Sequence, residues 1–83
     1  MVSAIALRPA VAAELDRHGV VRGPEDSAAA LRERLNDIYL IEVRRLRERQ
    51  VGGEIPLREY ASHVAALKER FPLLGLPLDR WEE

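Results

Sequence analysis

One glutamate in the longest helical pattern of this sequence stands where an apolar residue is expected. Glu42 follows Leu35 by seven residues. At about 100° per residue it therefore falls on the apolar face of the helix, between Ile38 and Leu46. A carboxylate in such a position needs an ion-pair or hydrogen-bond partner, because burying an unpaired charge is costly. Glu42 is thus the first candidate for chemistry in the chain.

Three other polar side chains can approach Glu42 if the chain folds back on itself at Gly52 and Gly53, namely those of Tyr39, Tyr60 and His63. Antiparallel pairing places Glu42 opposite the segment from Tyr60 to Val64, where tyrosine hydroxyls and an imidazole can donate hydrogen bonds. We expect Glu42 to be a partly buried polar group that fixes the register of the helices or the oligomeric state. One alternative is a narrower apolar face, which lets Glu42 reach solvent. Another is a catalytic or ligand-binding site formed by Glu42, Tyr39, Tyr60 and His63.

The remaining reactive residue types do not form a recognisable site. Glu59 and His63 are four residues apart and share a helix face, but di-iron bundles use Glu-x-x-His together with further glutamates. We therefore expect no metal and no cofactor, and we interpret the two side chains as a surface ion pair. The chain has no cysteine or threonine, and Ser62 points away from its neighbour His63 on a helix. These observations argue against an enzyme.

A cluster of arginines, residues 44 to 49, is the densest basic segment and can contact phosphates. However, Glu48 interrupts it, no aromatic residue is interleaved for stacking on bases, and the end of a helix already favours positive charge. The formal net charge of the chain is −1, with 13 basic and 14 acidic residues, which disfavours general nucleic-acid binding. A DNA-binding or antitoxin-like regulator is kept as a second alternative.

The pattern of apolar residues, glycines and prolines predicts an all-α protein. Alanine, leucine, glutamate and arginine dominate, and all four favour helices. We predict a short first helix over about 9–18, a long helix over about 24–51 that begins at Pro24, and a third helix over about 56–71. The short connection at Gly52 and Gly53 makes the last two an antiparallel hairpin. The apolar tail that follows is expected to pack on the hairpin, or on the helices of a partner.

The size of the chain bears on whether it can fold alone. Its 83 residues form one helical domain, and folding hides only about 60–65% of the surface of a chain of this length. Two amphipathic helices expose more apolar surface than such a chain covers, so we expect self-association, with a dimeric helical bundle favoured. The residues predicted to form the interface are Leu31, Leu35, Ile38, Leu46, Leu57, Val64, Leu67, Phe71, Leu76 and Trp81.

The function predicted from the sequence is a small, non-enzymatic helical interaction or accessory module that self-associates. Another protein is a further candidate partner, whereas nucleic acid and membrane are not expected. No apolar run approaches the roughly 20 residues that span a bilayer. The first residues also lack the basic start of a signal peptide. Together with the absence of cysteine, this favours a cytoplasmic location.

Overall fold

A computed structural model describes residues 6–82 of the chain. It contains three α-helices, α1 (Pro9–Arg17), α2 (Ala28–Val51) and α3 (Leu57–Glu69), followed by 3₁₀ turns at Pro72–Gly75 and Leu78–Arg80. Residues 6–82 form no β-strand; a single antiparallel bridge joins Leu7 to Glu82. The predicted all-α class, with one long helix and shorter ones, is confirmed.

The long helix begins four residues later than the sequence pattern predicted. Pro24 lies in a turn of the α1–α2 connector, and Ser27 is the residue that caps α2. The Ser27 hydroxyl accepts a hydrogen bond from the N–H of Ala30 at 3.1 Å. This bond satisfies one of the donors that a helix leaves free in its first turn, which is why α2 begins there. The prediction that Pro24 opens the helix was therefore wrong.

The turn between α2 and α3 is longer than the predicted glycine pair. The left-handed φ of +87° at Gly53 suits a residue without a Cβ atom. The chain then continues through Glu54 to Pro56, so that α3 begins at Leu57. At its other end α3 stops at Glu69, two residues before the predicted end, because Pro72 disfavours helical geometry at the residue that precedes it.

The hydrophobic core lies at one end of the hairpin. Trp81 is fully buried there, and its indole N–H donates a hydrogen bond to the carbonyl of Leu76 at 3.1 Å. Helix α1 and the C-terminal tail cover this end of α2 and α3, so the tail does pack on the chain's own helices. The buried core residues are Val11, Leu15, Val20, Ala28, Leu31, Leu35, Leu67, Phe71, Leu73 and Trp81.

The other end of the hairpin extends away from the core. The radius of gyration is 15.3 Å, compared with about 12 Å for a typical compact domain of this length. We call residues 40–64, all of which the structure describes, the hairpin arm. Ile55 is the only fully buried side chain in this segment. The arm is thus a two-helix projection with very little interior of its own.

Candidate functional site

Glu42 lies on the side of α2 that faces α3, and its side chain is about 30% exposed. Its Oε1 atom accepts a hydrogen bond from Nη1 of Arg45 at 3.0 Å, one helical turn further along. The carboxylate therefore has a charged partner on its own helix and keeps contact with solvent. It does not require a hydrogen bond from a tyrosine or from a second chain.

Glu42 and His63 do come together, because both line one groove between α2 and α3. The groove has a volume of about 310 Å³. Its polar side chains are one carboxylate, one imidazole and three guanidinium groups. It is lined by Glu42, Arg45, Leu46, Arg49, His63, Ala66, Leu67 and Arg70. Arg49 also pairs with Glu54 of the turn at 2.9 Å. The groove is therefore suited to an anion better than to a metal ion.

Two tyrosines were predicted to join this site, but neither Tyr39 nor Tyr60 lines that groove. The ring of Tyr39 meets the ring of Phe71 edge-on, with 5.4 Å between centroids. Tyr60 lies beside Arg47, whose guanidinium carbon is 6.0 Å from the ring centre. The sequence predicted Tyr60 opposite Glu42, a position on α2 that lies more than one helical turn nearer the core than Arg47. The difference arises because the chain turns over several residues and not at Gly52–Gly53 alone.

Tyr39 opens instead onto a second groove of about 350 Å³, near the core. The groove is lined by Asn36, Tyr39, Lys68, Phe71, Pro72, Leu74 and Gly75. It is mainly apolar and has one cationic side chain at its edge. In the described residues no group of three or more His, Asp or Glu side chains is placed to hold a metal ion.

Half of the residues predicted to contact a second chain are buried within this one. Leu31, Leu35, Leu67, Phe71 and Trp81 are each at most 4% exposed. They belong to the core that α1 and the tail cover, so this fold leaves them unavailable to a partner. Ile38, Leu46, Val64 and Leu76 are partly buried, whereas Leu57 is 69% exposed. Among the residues predicted to form the interface, only those on the hairpin arm are not covered by α1 or the tail.

The large apolar side chains that remain exposed are concentrated on the hairpin arm. Leu40 is 43% exposed, Ile41 47%, Val51 70% and Leu57 69%. Val21, in the α1–α2 connector, is the only other one within residues 6–82. Exposure of Leu40, Ile41 and Val51 was not predicted, because only the core-facing residues of α2 were considered. The sequence did indicate a second apolar surface, since apolar residues around Leu40 occur on more than one side of the helix.

An ion pair that the sequence analysis also missed fixes the α1–α2 connector. Asp26 falls within the range predicted for the long helix, about 24–51, but it lies in the connector, where its carboxylate binds Arg34 through two hydrogen bonds of 2.6 and 2.8 Å. It also accepts the N–H of Gly23 at 2.6 Å. The bonds from Arg34, and then that from Gly23, hold the pKa of Asp26 below its usual value. The same pair raises the pKa of Arg34.

Near the core, the carboxylate of Glu14 lies close to the imidazole of His18, below the surface of the protein. His18 stacks on Phe71 with 4.2 Å between ring centroids, and its Nε2 atom lies 3.7 Å from Oε2 of Glu14. Both atoms are buried and have no hydrogen-bond partner among the described residues. Oε1 of Glu14 pairs with Arg17 at 2.8 Å. The position of this cluster, between α1 and the end of α3, indicates a role in packing.

Comparison of this chain with protein-family models, with curated proteins and with solved structures found no match. Within residues 6–82, no helix has both the length and the apolar character needed to cross a membrane.

Proposed function

We propose that this chain is a small, non-enzymatic helical interaction module that self-associates through its hairpin arm. The observation that carries the proposal is the uneven distribution of apolar side chains. Within residues 6–82, four of the five large exposed ones lie on the arm, where only Ile55 is buried. A concentration of exposed apolar groups in one part of a molecule is typical of a surface that binds another protein.

The arm exposes apolar side chains that a partner can cover. A two-helix hairpin covers only one side of each helix, so Leu40, Ile41, Val51 and Leu57 remain in water. Fully burying a side chain of this kind contributes about 1.5–3 kcal/mol. A partner that presents helices to the arm covers these groups and completes a bundle, the arrangement in which helical hairpins are stable.

The proposal is tested by changing exposed apolar groups on and off the arm. We expect Leu40→Gln combined with Ile41→Gln to weaken self-association strongly, with the helical circular dichroism unchanged because both side chains are already exposed. Val21→Gln is the matched control, since Val21 is 80% exposed and lies outside the arm. Sedimentation equilibrium at several concentrations measures the effect. Equal behaviour of the two variants would contradict an interface on the arm.

We propose anion binding in the groove of Glu42 and His63 as a second candidate function. The observation that favours it is Arg70, which forms no ion pair among the described residues and lines one concave surface together with Arg45 and Arg49. Guanidinium groups bind carboxylates and phosphates through paired hydrogen bonds. Titration with inorganic phosphate, followed by the NMR signals of His63, tests this function. Changes confined to the groove that Arg70→Gln abolishes would support it, and no response at millimolar phosphate would remove it.

For the DNA-binding or antitoxin-like alternative, the structure supplies no comparable support. Two of the four arginines between residues 44 and 49 form ion pairs within the chain, Arg45 with Glu42 and Arg49 with Glu54. A third, Arg47, stands beside the ring of Tyr60. The arginine cluster is thus largely engaged with the hairpin itself.

A further inference from the structure

Seven exposed side chains form a continuous line along the face of α2 that points away from the core. Successive members are three or four residues apart, the spacing that keeps side chains on one side of a helix. Leu31 and Leu35, which enter the core, lie on the opposite side. We call this line the outer stripe; it consists of Ala29, Glu33, Asn36, Leu40, Arg44, Arg47 and Val51, all exposed.

The outer stripe is nearly straight. Its three apolar members, Ala29, Leu40 and Val51, are separated by intervals of eleven residues. Eleven residues make about three full turns of an α-helix, so the three side chains lie almost in line. A second helix can therefore lie beside the stripe for its whole length, about 33 Å, with the slight right-handed supercoil that an eleven-residue repeat favours.

The charges along the stripe change sign at Leu40. Glu33, with Asp37 beside it, precedes Leu40, whereas Arg44 and Arg47 follow it. A second copy of the stripe running in the opposite direction therefore presents positive charge to negative charge along its length. With the twofold axis at Leu40, Glu33 faces Arg47 of the second copy. Parallel copies would oppose each arginine to itself, which is destabilising.

These charges are not neutralised within the chain. In the part of the chain that the structure describes, Glu33, Asp37 and Arg44 form no ion pair within the chain. Within residues 6–82 Arg47 forms no ion pair either, but its guanidinium group stands over the ring of Tyr60 on α3. Glu33, Asp37 and Arg44 are therefore available to a partner, and Arg47 can pair with a partner's carboxylate by leaving or sharing its contact with Tyr60.

The stripe has a groove at one end and an exposed valine at the other. A shallow groove of about 380 Å³ lies beside the first half of α2, lined by Ala29, Arg32, Glu33, Asn36 and Leu78. About 16 Å beyond Leu40, in the other direction, Val51 projects with 70% of its surface exposed. In the antiparallel arrangement, Val51 of the second copy comes over Ala29 and this groove.

We infer that the occupant of the outer stripe is a second copy of this chain, bound antiparallel with the twofold axis beside Leu40. The inference rests on the proposed function and specifies the partner and its orientation. An arrangement of this kind closes on itself, because each stripe contacts the same stripe of the other copy and is fully used in the pair. The assembly is therefore a dimer.

Charge reversal tests the pairing directly. Glu33→Arg alone, or Arg47→Glu alone, places like charges together twice in the dimer, and we expect each to raise the dissociation constant about fivefold or more. Combining the two changes in one chain restores opposite charges, and the constant should return to within about twofold of the original. Glu59→Arg, at an exposed position on α3, is the control and should have little effect.

A distance measurement tests the orientation independently of affinity. The chain has no cysteine, so Glu48→Cys provides a single attachment point for a spin label beside the stripe. In the antiparallel dimer the two labels are separated by about 25 Å, because position 48 lies eight residues from the axis. In a parallel dimer they are separated by roughly 10 Å. Pulsed electron paramagnetic resonance distinguishes the two distances.

The outcomes separate this inference from the proposed function. Restoration of the dimer by the combined charge reversal, with a label distance near 25 Å, would support the inference. A native chain that dimerises with a short label distance, or without restoration, would overturn the antiparallel stripe and leave self-association standing. A native chain that stays monomeric would overturn both.

Discussion

At the scale of single residues, the environment of Glu42 is decided by one neighbouring arginine. On the helical wheel it occupies the apolar face, and this made it a candidate for a buried site. In the structure Arg45 reaches back one turn and holds the carboxylate at 3.0 Å, where its side chain is still about 30% exposed. Such surface pairs contribute little to stability, typically below 1 kcal/mol. Glu42 is thus a groove residue with a local partner.

We predict that Glu42→Gln changes the free energy of unfolding by less than about 0.5 kcal/mol. The amide keeps the size of the side chain and still accepts a hydrogen bond from Arg45, while the charge of the pair is lost. Urea unfolding followed by circular dichroism measures the change, with the exposed Glu48→Gln as control. A loss of several kcal/mol would show that the carboxylate is a buried structural group after all.

Asp26 predicts how the stability of the chain depends on pH. Because Arg34 and the N–H of Gly23 hold its pKa below the usual 3.8, the ionised carboxylate stabilises the folded state above that pH. This contribution is lost as the pH falls below 3.8 through the lower pKa of the folded state. Unfolding measured from pH 6 to pH 2 should therefore show native stability converging on that of Asp26→Asn at the acid end. A constant difference between the two proteins would contradict this account, and Glu25→Gln is the control.

At the scale of the secondary-structure elements, the start of α2 is set by one side chain. We predict that Ser27→Ala lowers the free energy of unfolding by about 1 kcal/mol, because the N–H of Ala30 loses its acceptor. Ser62, exposed in the middle of α3, supplies the control: Ser62→Ala should be neutral or slightly stabilising, since alanine has the higher helix propensity. Chemical unfolding compares the two. Equal effects would mean that the Ser27 cap does not stabilise α2.

The helices were largely predictable from the sequence because their signals are local. Pro9, Gly52 and Pro72 mark chain breaks that any fold must respect, and the predicted ends of α1 and α3 lie within two residues of those observed. The start of α2 was missed because Pro24 and Ser27 are both valid starting signals. The start at Ser27 is favoured by its own cap and by the ion pair of Asp26 with Arg34, which holds residues 24 to 26 in the connector.

The candidate site was less predictable than the helices because it depends on register between elements. Glu42 and His63 meet in one groove, as the hairpin predicted, but Tyr39 and Tyr60 do not line it. A turn a few residues longer moves every partner of Glu42 along α3. The sequence also could not show that α1 and the tail would cover Leu31, Leu35 and Leu67, which leaves the arm as the exposed part.

At the scale of the whole molecule, the chain has two dissimilar ends. One is a conventional core closed by Trp81, and the other is an arm whose apolar side chains lack a cover. A radius of gyration of 15.3 Å reflects this division. The buried side chains that stabilise the fold lie at the first end, and we propose that association involves α2 and the arm.

Sedimentation equilibrium of the unmodified chain over a wide range of concentrations tests this assignment most directly. The chain has a mass of 9.4 kDa. We predict that the weight-average mass rises with concentration to twice this value and no further, since an antiparallel pair of stripes closes on itself. A mass that stays at 9.4 kDa at every concentration would contradict it.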